Sequence, residues 1–312
     1  MDAIRTENLT KVYGRKGTRA LDGMDLAVAQ GELFGFLGPN GAGKTTTIRI
    51  LTTLLRPTRG RAWVAGFDVQ SEPMEAMRRV GFMPENPGFY ATLTGRQHLR
   101  YYAGLYGKSR SQLDGRIDSL LDRVGLAEAR DMKVKAYSLG MQRRLALAGA
   151  VLPEPDILIL DEPSLGLDPA GMAFVRSLLT ASHEEGTTIF LSSHILSEVE
   201  KICTHVGVLH HGNLLKVDTP QALVQALGPT RASIEVTTRG VQRKDAEEVE
   251  AIEGVERADV DGNVLRVYGA LDDDVVVEVN RVLVKGGVGI VSSRRLEADL
   301  EEAFLALTGD QT

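Results

Sequence analysis

The stretch Gly38-Pro39-Asn40-Gly41-Ala42-Gly43-Lys44-Thr45-Thr46 constrains the fold of this chain more than any other. It has the spacing G-x-x-x-x-G-K-[ST]. Just before it, Glu32–Leu37 is a short apolar run that reads as a buried strand. Just after it, Thr47–Leu55 carries apolar residues at helical spacing. A glycine-rich turn with a surface lysine needs neither the strand nor the helix, whereas a phosphate-binding loop needs both. Without a Cβ, Gly38, Gly41 and Gly43 let backbone N–H groups converge on a phosphate. The N-terminus of the following helix adds its own attraction for an anion. In that setting Lys44 reaches the β- and γ-phosphates, and the Thr45 hydroxyl can ligate Mg²⁺.

The bounds are those of an ordinary globular chain. At 312 residues one large domain plus a smaller one is expected. A net charge of −6 argues against a nucleic-acid surface spread over the whole chain. Cys203 is the single cysteine, so no internal disulfide forms, and its apolar surroundings suit a buried small hydrophobe. The N-terminal residues do not read as a signal peptide, and no apolar run approaches the roughly 18 residues that span a bilayer. The polypeptide is expected to be soluble by itself.

In chain order, Ile4–Tyr13 and Ala20–Val28 alternate as an antiparallel strand pair would. Arg56–Gly60 breaks the helix after the loop, Arg61–Gly66 reads as a strand, and Val80–Met83 is a short strand closed by Pro84. From Thr92 to about Val134 the pattern is helical, with Leu99, Tyr102, Ala103 and Tyr106 on one face. Leu113, Ile117, Leu120, Leu121 and Val124 line a second. This is a helical insert in an α/β core.

The block Tyr137–Leu145 opens a helix that ends at Pro153. Ser138 followed by Gly140 at a helix N-terminus is a capping arrangement and also a ready anion site. Ile157–Leu160 is a fully buried strand that carries Asp161 and Glu162 out at its C-terminal end, beside the phosphate loop. There Asp161 can hold Mg²⁺ through water and Glu162 can polarise an attacking water. Ser164–Pro169 is a tight loop containing Asp168, and Thr187–Ser193 is a strand that delivers His194. Alone, His194 would read as a structural histidine; at the end of a core strand beside Asp161-Glu162, contact with a γ-phosphate is the better reading.

Together these residues resemble the ATP-binding cassette ATPase, the nucleotide-binding subunit of ABC transporters, over about residues 3–220. The phosphate loop, the Tyr137-Ser138-Leu139-Gly140-Met141 form of the LSGGQ signature, the Ile157–Glu162 Walker B strand, the Gly166-Leu167-Asp168 loop and the switch histidine His194 occur in the family's order. The resemblance implies a P-loop α/β core with an antiparallel β subdomain. It further implies a head-to-tail dimer, with a second ATPase subunit, that encloses two ATP and Mg²⁺. Lys44, Thr45 and Asp161 of one subunit would face Ser138 and Gly140 of the other. Tyr13 matches the aromatic that stacks on adenine, Asp168 would communicate between the sites, and His194 would hold the γ-phosphate and the lytic water.

There are departures. Glu85 stands where the family usually has glutamine; a carboxylate can ligate Mg²⁺ as an amide oxygen does, but it changes the charge balance and, ionised, donates no hydrogen bond. Retained but retuned hydrolysis is expected. Met141 replaces the signature glutamine and Leu139 its first glycine. Pro84-Glu85-Asn86 and the Gly-Met signature resemble the ABC-2 branch, which includes exporters of the daunorubicin-resistance type and exporters of sodium, lipid or polysaccharide.

The expected domains are 1–225, with the helical insert at about 84–135, and 226–312. Leu227–Thr230 is a turn-rich joint. Ala232–Val236, Val264–Tyr268 and Val288–Val291 read as strands, Ala246–Ile252 and Val275–Val284 as helical or mixed, and Leu296–Leu307 as an amphipathic helix. That makes a small α+β domain without a catalytic constellation, for regulation or dimer support, or a packing appendage. The chain is read as an ATPase driving a separate integral membrane permease, peripheral on the inner face of the cell membrane. Pro87–Tyr90 would sit in the cleft that receives the permease. The alternative is a soluble ABC ATPase on ribosomes or nucleic acid; against it, the chain has one phosphate loop rather than two in tandem, no long heptad coil and an acidic balance.

Overall fold

A parallel strand buried on both faces must be apolar along its whole length, and an antiparallel strand with one wet face must alternate. Both patterns occur in the computed structural model, which describes residues 1–14, 17–105, 110–226, 232–296 and 299–309. The chain divides into two units, Met1–Thr219 and Pro220–Thr312.

In the first unit, β1 (Asp2–Tyr13) and β2 (Thr18–Ala29) pair antiparallel, with Ile4 and Leu9 buried beneath them. All five residues of β3 (Leu33–Leu37) are buried. The glycine loop follows and runs into α1 (Lys44–Leu51). β4 (Arg59–Val64) and β5 (Phe67–Asp68) complete a four-stranded sheet in the order β2-β1-β4-β5. After α2 (Pro73–Arg78) come β6 (Val80–Met83), α3 (Gly95–Leu105), α4 (Arg110–Arg123) and α5 (Leu139–Val151). β7 (Ile157–Asp161), α6 (Pro169–Glu184), β8 (Thr188–Ser193), α7 (Leu196–Ile202), β9 (His205–His210) and β10 (Asn213–Asp218) close the unit. The second sheet has the order β10-β9-β3-β8-β7-β6 and is parallel except for β10. Phe34, Phe36 and Phe190 stack inside it, with centroid distances of 5.6 and 5.2 Å.

The register of the parallel strands positions everything that follows. Leu37 pairs with Ser193, Asp161 with Ser192 and Met83 with Leu160. The glycine loop, Asp161-Glu162, His194 and Glu85 therefore leave the sheet along one edge, at the C-terminal ends of neighbouring strands, where ligands of open α/β sheets bind.

The helix after the loop differs from the sequence expectation at both ends. It starts at Lys44 and stops at Leu51, because Thr53 turns left-handed at φ 62° and leaves Leu54 exposed. The insert is likewise not helical throughout: α3 buries Leu99 and Ala103, α4 buries Ile117, Leu120 and Leu121, and the chain then turns at Gly125. Tyr106 and the Leu113 side chain lie outside the described residues, as does the Leu227–Thr230 joint.

The second unit comprises α8 (Pro220–Gln225), β11 (Ala232–Thr238), α9 (Arg243–Glu250), β12 (Val255–Asp261), β13 (Val264–Gly269), α10 (Asp273–Lys285), β14 (Ile290–Leu296) and α11 (Leu300–Thr308). Its sheet, β12-β13-β11-β14, is antiparallel. From β11 to β14 the order is the split βαβ arrangement. Ile234, Val236, Ala258, Leu265, Val267, Val279 and Leu283 form its own core. Strand β12 is absent from the sequence reading. β14 begins at Ile290 and runs on to Leu296, so the last helix starts at Leu300, where Asp299 caps it by accepting from Glu302 N–H.

Candidate functional site

The glycine loop has the shape its sequence requires. Gly41 and Gly43 adopt φ of 83° and 117°, and a Cβ on Gly43 would stand 2.5 Å from the Ala20 carbonyl. Only glycine fits there. Around the loop lies a cavity of about 270 Å³, lined among others by Asn40, Lys44, Thr45, Glu85, Glu162 and His194.

Inside it the charged groups are closely knit. Lys44 is buried; its Nζ donates to the Gly38 carbonyl at 2.5 Å and lies 3.5 Å from Glu162 Oε1. The other Glu162 oxygen is 2.8 Å from His194 Nδ1. Thr45 Oγ1 is 3.5 Å from Asp161 Oδ1. Glu162 itself holds φ 51°, a left-handed conformation rare for a non-glycine residue, which turns its carboxylate off the strand end toward Lys44 and His194.

Ser192, which sequence reasoning missed, explains how two consecutive acids are held. Its hydroxyl donates to Asp161 Oδ1 at 2.6 Å and accepts from Glu162 N–H at 3.0 Å. A serine in an apolar strand gives no signal alone; its register opposite Asp161 does. Ala20 and Leu165 also line the cavity without having been foreseen.

The remaining sequence candidates fall in three places. Gly38 and Ala42 shape the loop: the Gly38 carbonyl serves Lys44, and the Ala42 carbonyl accepts from Gly212 N–H. Pro39 and Thr46 line the cavity. Tyr13 is half-exposed with its hydroxyl 3.3 Å from Thr46 Oγ1, outside the cavity lining. Ser138, Gly140 and Asp168 stand apart from this cavity. Ser138 caps α5, accepting from Met141 N–H, and Asp168 caps α6, accepting from Gly171 N–H. The two turns meet, since a Cβ on Gly166 would lie 3.1 Å from Leu139 Cδ2.

The donor set fits Mg²⁺ bound to a nucleoside triphosphate. Thr45 and Asp161 offer hard oxygens at hydrogen-bond spacing, Glu85 adds a third at the cavity wall, and the loop supplies N–H groups and one ammonium for phosphate.

A family model described as ABC transporter matches residues 21–165. The daunorubicin resistance ATP-binding protein DrrA2 of Streptomyces coeruleorubidus is 38% identical over 99% of this chain and 96% of its own length. The bacitracin transport ATP-binding protein BcrA of Bacillus licheniformis is 38% identical over 99% of this chain and 98% of its own. Among solved structures, the ATP-binding subunit of an ABC transporter superposes with a TM-score of 0.67 at 30% identity, covering 72% of this chain and 93% of that one. Among the described residues no helix is long and apolar enough to cross a membrane. A glycine loop on the central strand, a carboxylate pair beside it and full-length likeness to transport ATPases carry one conclusion: the chain belongs to the family of ABC transporter ATP-binding proteins, which hydrolyse ATP to power transport.

Proposed function

We propose that this chain binds Mg·ATP at the glycine loop, closes on a second ATPase subunit around two nucleotides, and drives export through a separate permease. The observation that carries the reading is the Glu162 carboxylate, held between Lys44 and His194 at the mouth of the loop. In this reading Lys44 and the loop N–H groups neutralise the β- and γ-phosphates, and Tyr13 stacks on the base. Thr45, Asp161 and Glu85 would hold Mg²⁺, which when bound supplies positive charge to the phosphate oxygens. Glu162 accepts the proton of the attacking water, and His194 fixes Glu162 and contacts the γ-phosphate. Ser138, Gly140 and Asp168 serve the partner's site, which accounts for their lying outside this chain's own cavity.

The cargo is read as a drug-like, lipid or other hydrophobic substrate, a reading supported by a daunorubicin resistance protein, DrrA2, and a bacitracin transport protein, BcrA, that match nearly the whole chain, second unit included. Residues 226–312 are accordingly read as an accessory domain of that exporter branch, supporting or regulating the dimer. The chain works from the cytoplasm, on the inner face of the membrane that holds the permease, with Pro87–Tyr90 at the contact.

One preparation tests both halves of the reading. Captured from detergent-solubilised membranes, the tagged Glu162→Gln chain should bring down a multi-span membrane protein in near-equal amount. It should bind Mg·ATP as tightly as the unmodified chain and turn over roughly 10²–10⁴-fold more slowly, the usual range for losing a general base. Unchanged turnover would remove Glu162 from its role, and soluble partners alone would remove the permease.

A further inference from the structure

Two consecutive arginines follow the Ser138–Gly140 turn, and they have opposite environments. Arg144 has a cation–π partner, its guanidinium 4.7 Å over the Phe174 ring. Arg143 is buried, 5% exposed, and its Nε and Nη1 find no hydrogen-bond partner among the described residues. It shares one face of α5 with Leu147, Ala150 and Val151, all buried. A charge on a core face with unmet donors is costly unless opposite charge stands close by.

The packing of α5 on β6 shows where that charge is. At Gly81 the two elements touch so closely that a Cβ would run into the Ala150 carbonyl. From Ala150 back to Arg143 is seven residues of helix, about 10 Å toward the N-terminal end of α5. From Gly81 forward to Met83, the last residue of β6, is two residues of strand, about 7 Å toward its C-terminal end, and Glu85 follows two residues beyond that end. Both climbs lead to the edge of the sheet where Glu85 stands at the wall of the nucleotide cavity. Burial pushes the Arg143 guanidinium below its ordinary value, and the carboxylates of Glu85, Glu162 and Asp161 oppose that, Glu85 most strongly.

We propose that Arg143 is a positioning residue for Glu85, a buried counter-charge that lets a carboxylate stand where the nucleotide's γ-phosphate must approach. The inference rests on the roles given above to Glu85 and Glu162. Glu85 and Glu162 line the cavity opposite Lys44, with the Asp161 carboxylate behind Thr45. An incoming triphosphate adds further negative charge. With Arg143 behind it, Glu85 presents its oxygens to the site without adding a net charge, as a neutral amide there would. Arg143 does not line the cavity; it acts through Glu85.

A double-mutant cycle on the full-length chain reads this directly, with Mg·ATP as ligand and kcat, KM and thermal midpoint as readouts. In the Glu85 background Arg143→Met is expected to lower kcat roughly tenfold, a size within the range of direct couplings. In the Glu85→Gln background the same change is expected to cost less than about twofold and to raise the thermal midpoint, since it then removes a buried cation lacking its nearest partner. Arg143→Lys, which keeps the charge, should recover most of the lost rate. Should Arg143→Met not fold beside Glu85, Arg143→Gln against Arg143→Lys gives the same comparison. Equal penalties in both backgrounds, or no difference between Arg143→Lys and Arg143→Gln, would overturn the proposal. Glu162→Gln, run in the same assay, separates the cases: if that variant keeps full turnover, the catalytic reading itself has failed rather than the pairing.

Discussion

One hydroxyl, that of Ser192, fixes two neighbouring acids that point different ways. Strand geometry alone would send Asp161 and Glu162 to opposite faces of the sheet. The left-handed turn at Glu162 breaks that alternation, and a non-glycine residue held there costs on the order of 1–3 kcal/mol. The bonds from Ser192 to Asp161 Oδ1 and Glu162 N–H help offset this, and all three groups are buried. Ser192→Ala should therefore act on both stability and chemistry. Leaving the Glu162 N–H unmet in the interior should cost about 1–3 kcal/mol in thermal or urea unfolding. The Mg²⁺ concentration needed for half-maximal ATPase should rise by roughly 10–100-fold, as for other groups that orient metal ligands. A variant that unfolds earlier but titrates with Mg²⁺ unchanged would mean that Asp161 needs no such support.

Helix α3 carries a buried histidine that behaves as an apolar side chain. His98 is 3% exposed and lies among the rings of Phe89, Tyr90 and Tyr102 at 4.7–6.3 Å, and burial pushes its pKa down to about 4. The folded chain thus keeps His98 neutral, while the unfolded chain protonates it near pH 6.5. Protons favour the unfolded state between those values, so His98's contribution is intact above about pH 6.5 and is lost progressively as pH falls toward 4. The thermal midpoint should drop more steeply over that window than in a His98→Phe chain; identical pH profiles would show that His98 is not held neutral. Nothing in the sequence marked His98, and the same is true of strand β12. There Arg257, Asp259 and Asp261 look outward and only Ala258 is fully buried, so Val255–Asp261 has the composition of a loop. Helix α1 misled in the other direction, because Leu54 and Leu55 continue an apolar pattern past the point where Thr53 reverses the backbone. By contrast β3, β7 and β8 were legible because burial on both faces permits no other composition. The loop, Asp161, Glu162 and His194 were legible for a related reason: their chemistry admits few residue types, and they sit at the ends of those strands. Arg143 was not, since an arginine in a helix ordinarily reads as solvated and only the packing of α5 on β6 buries it.

In the function proposed above, the whole chain carries two halves of a site that do not meet within one copy. Lys44, Thr45 and Glu162 line the cavity, with Asp161 behind Thr45, while Ser138 and Gly140 open α5 elsewhere, with Leu139 between them 54% exposed. A helix N-terminus with a serine cap and a glycine is suited to an anion, and a second copy's γ-phosphate is the anion that a head-to-tail pair would bring to it. Each copy carries a net charge of −6, so association without ligand is opposed by general repulsion, and the nucleotide has to bridge the two surfaces. Hydrolysis would break that bridge, so the pair should accumulate only when turnover is blocked. The Glu162→Gln chain is therefore expected to run as a monomer without nucleotide and to double in mass with Mg·ATP, read by light scattering on a sizing column. Adding Ser138→Arg to that chain places a long side chain where the partner's phosphate would sit. Mg·ATP should still bind, because the cavity lining is untouched, yet the mass should stay that of one chain. A double variant that still dimerises would show that the pair closes on some other surface and that Ser138 does no more than cap its helix.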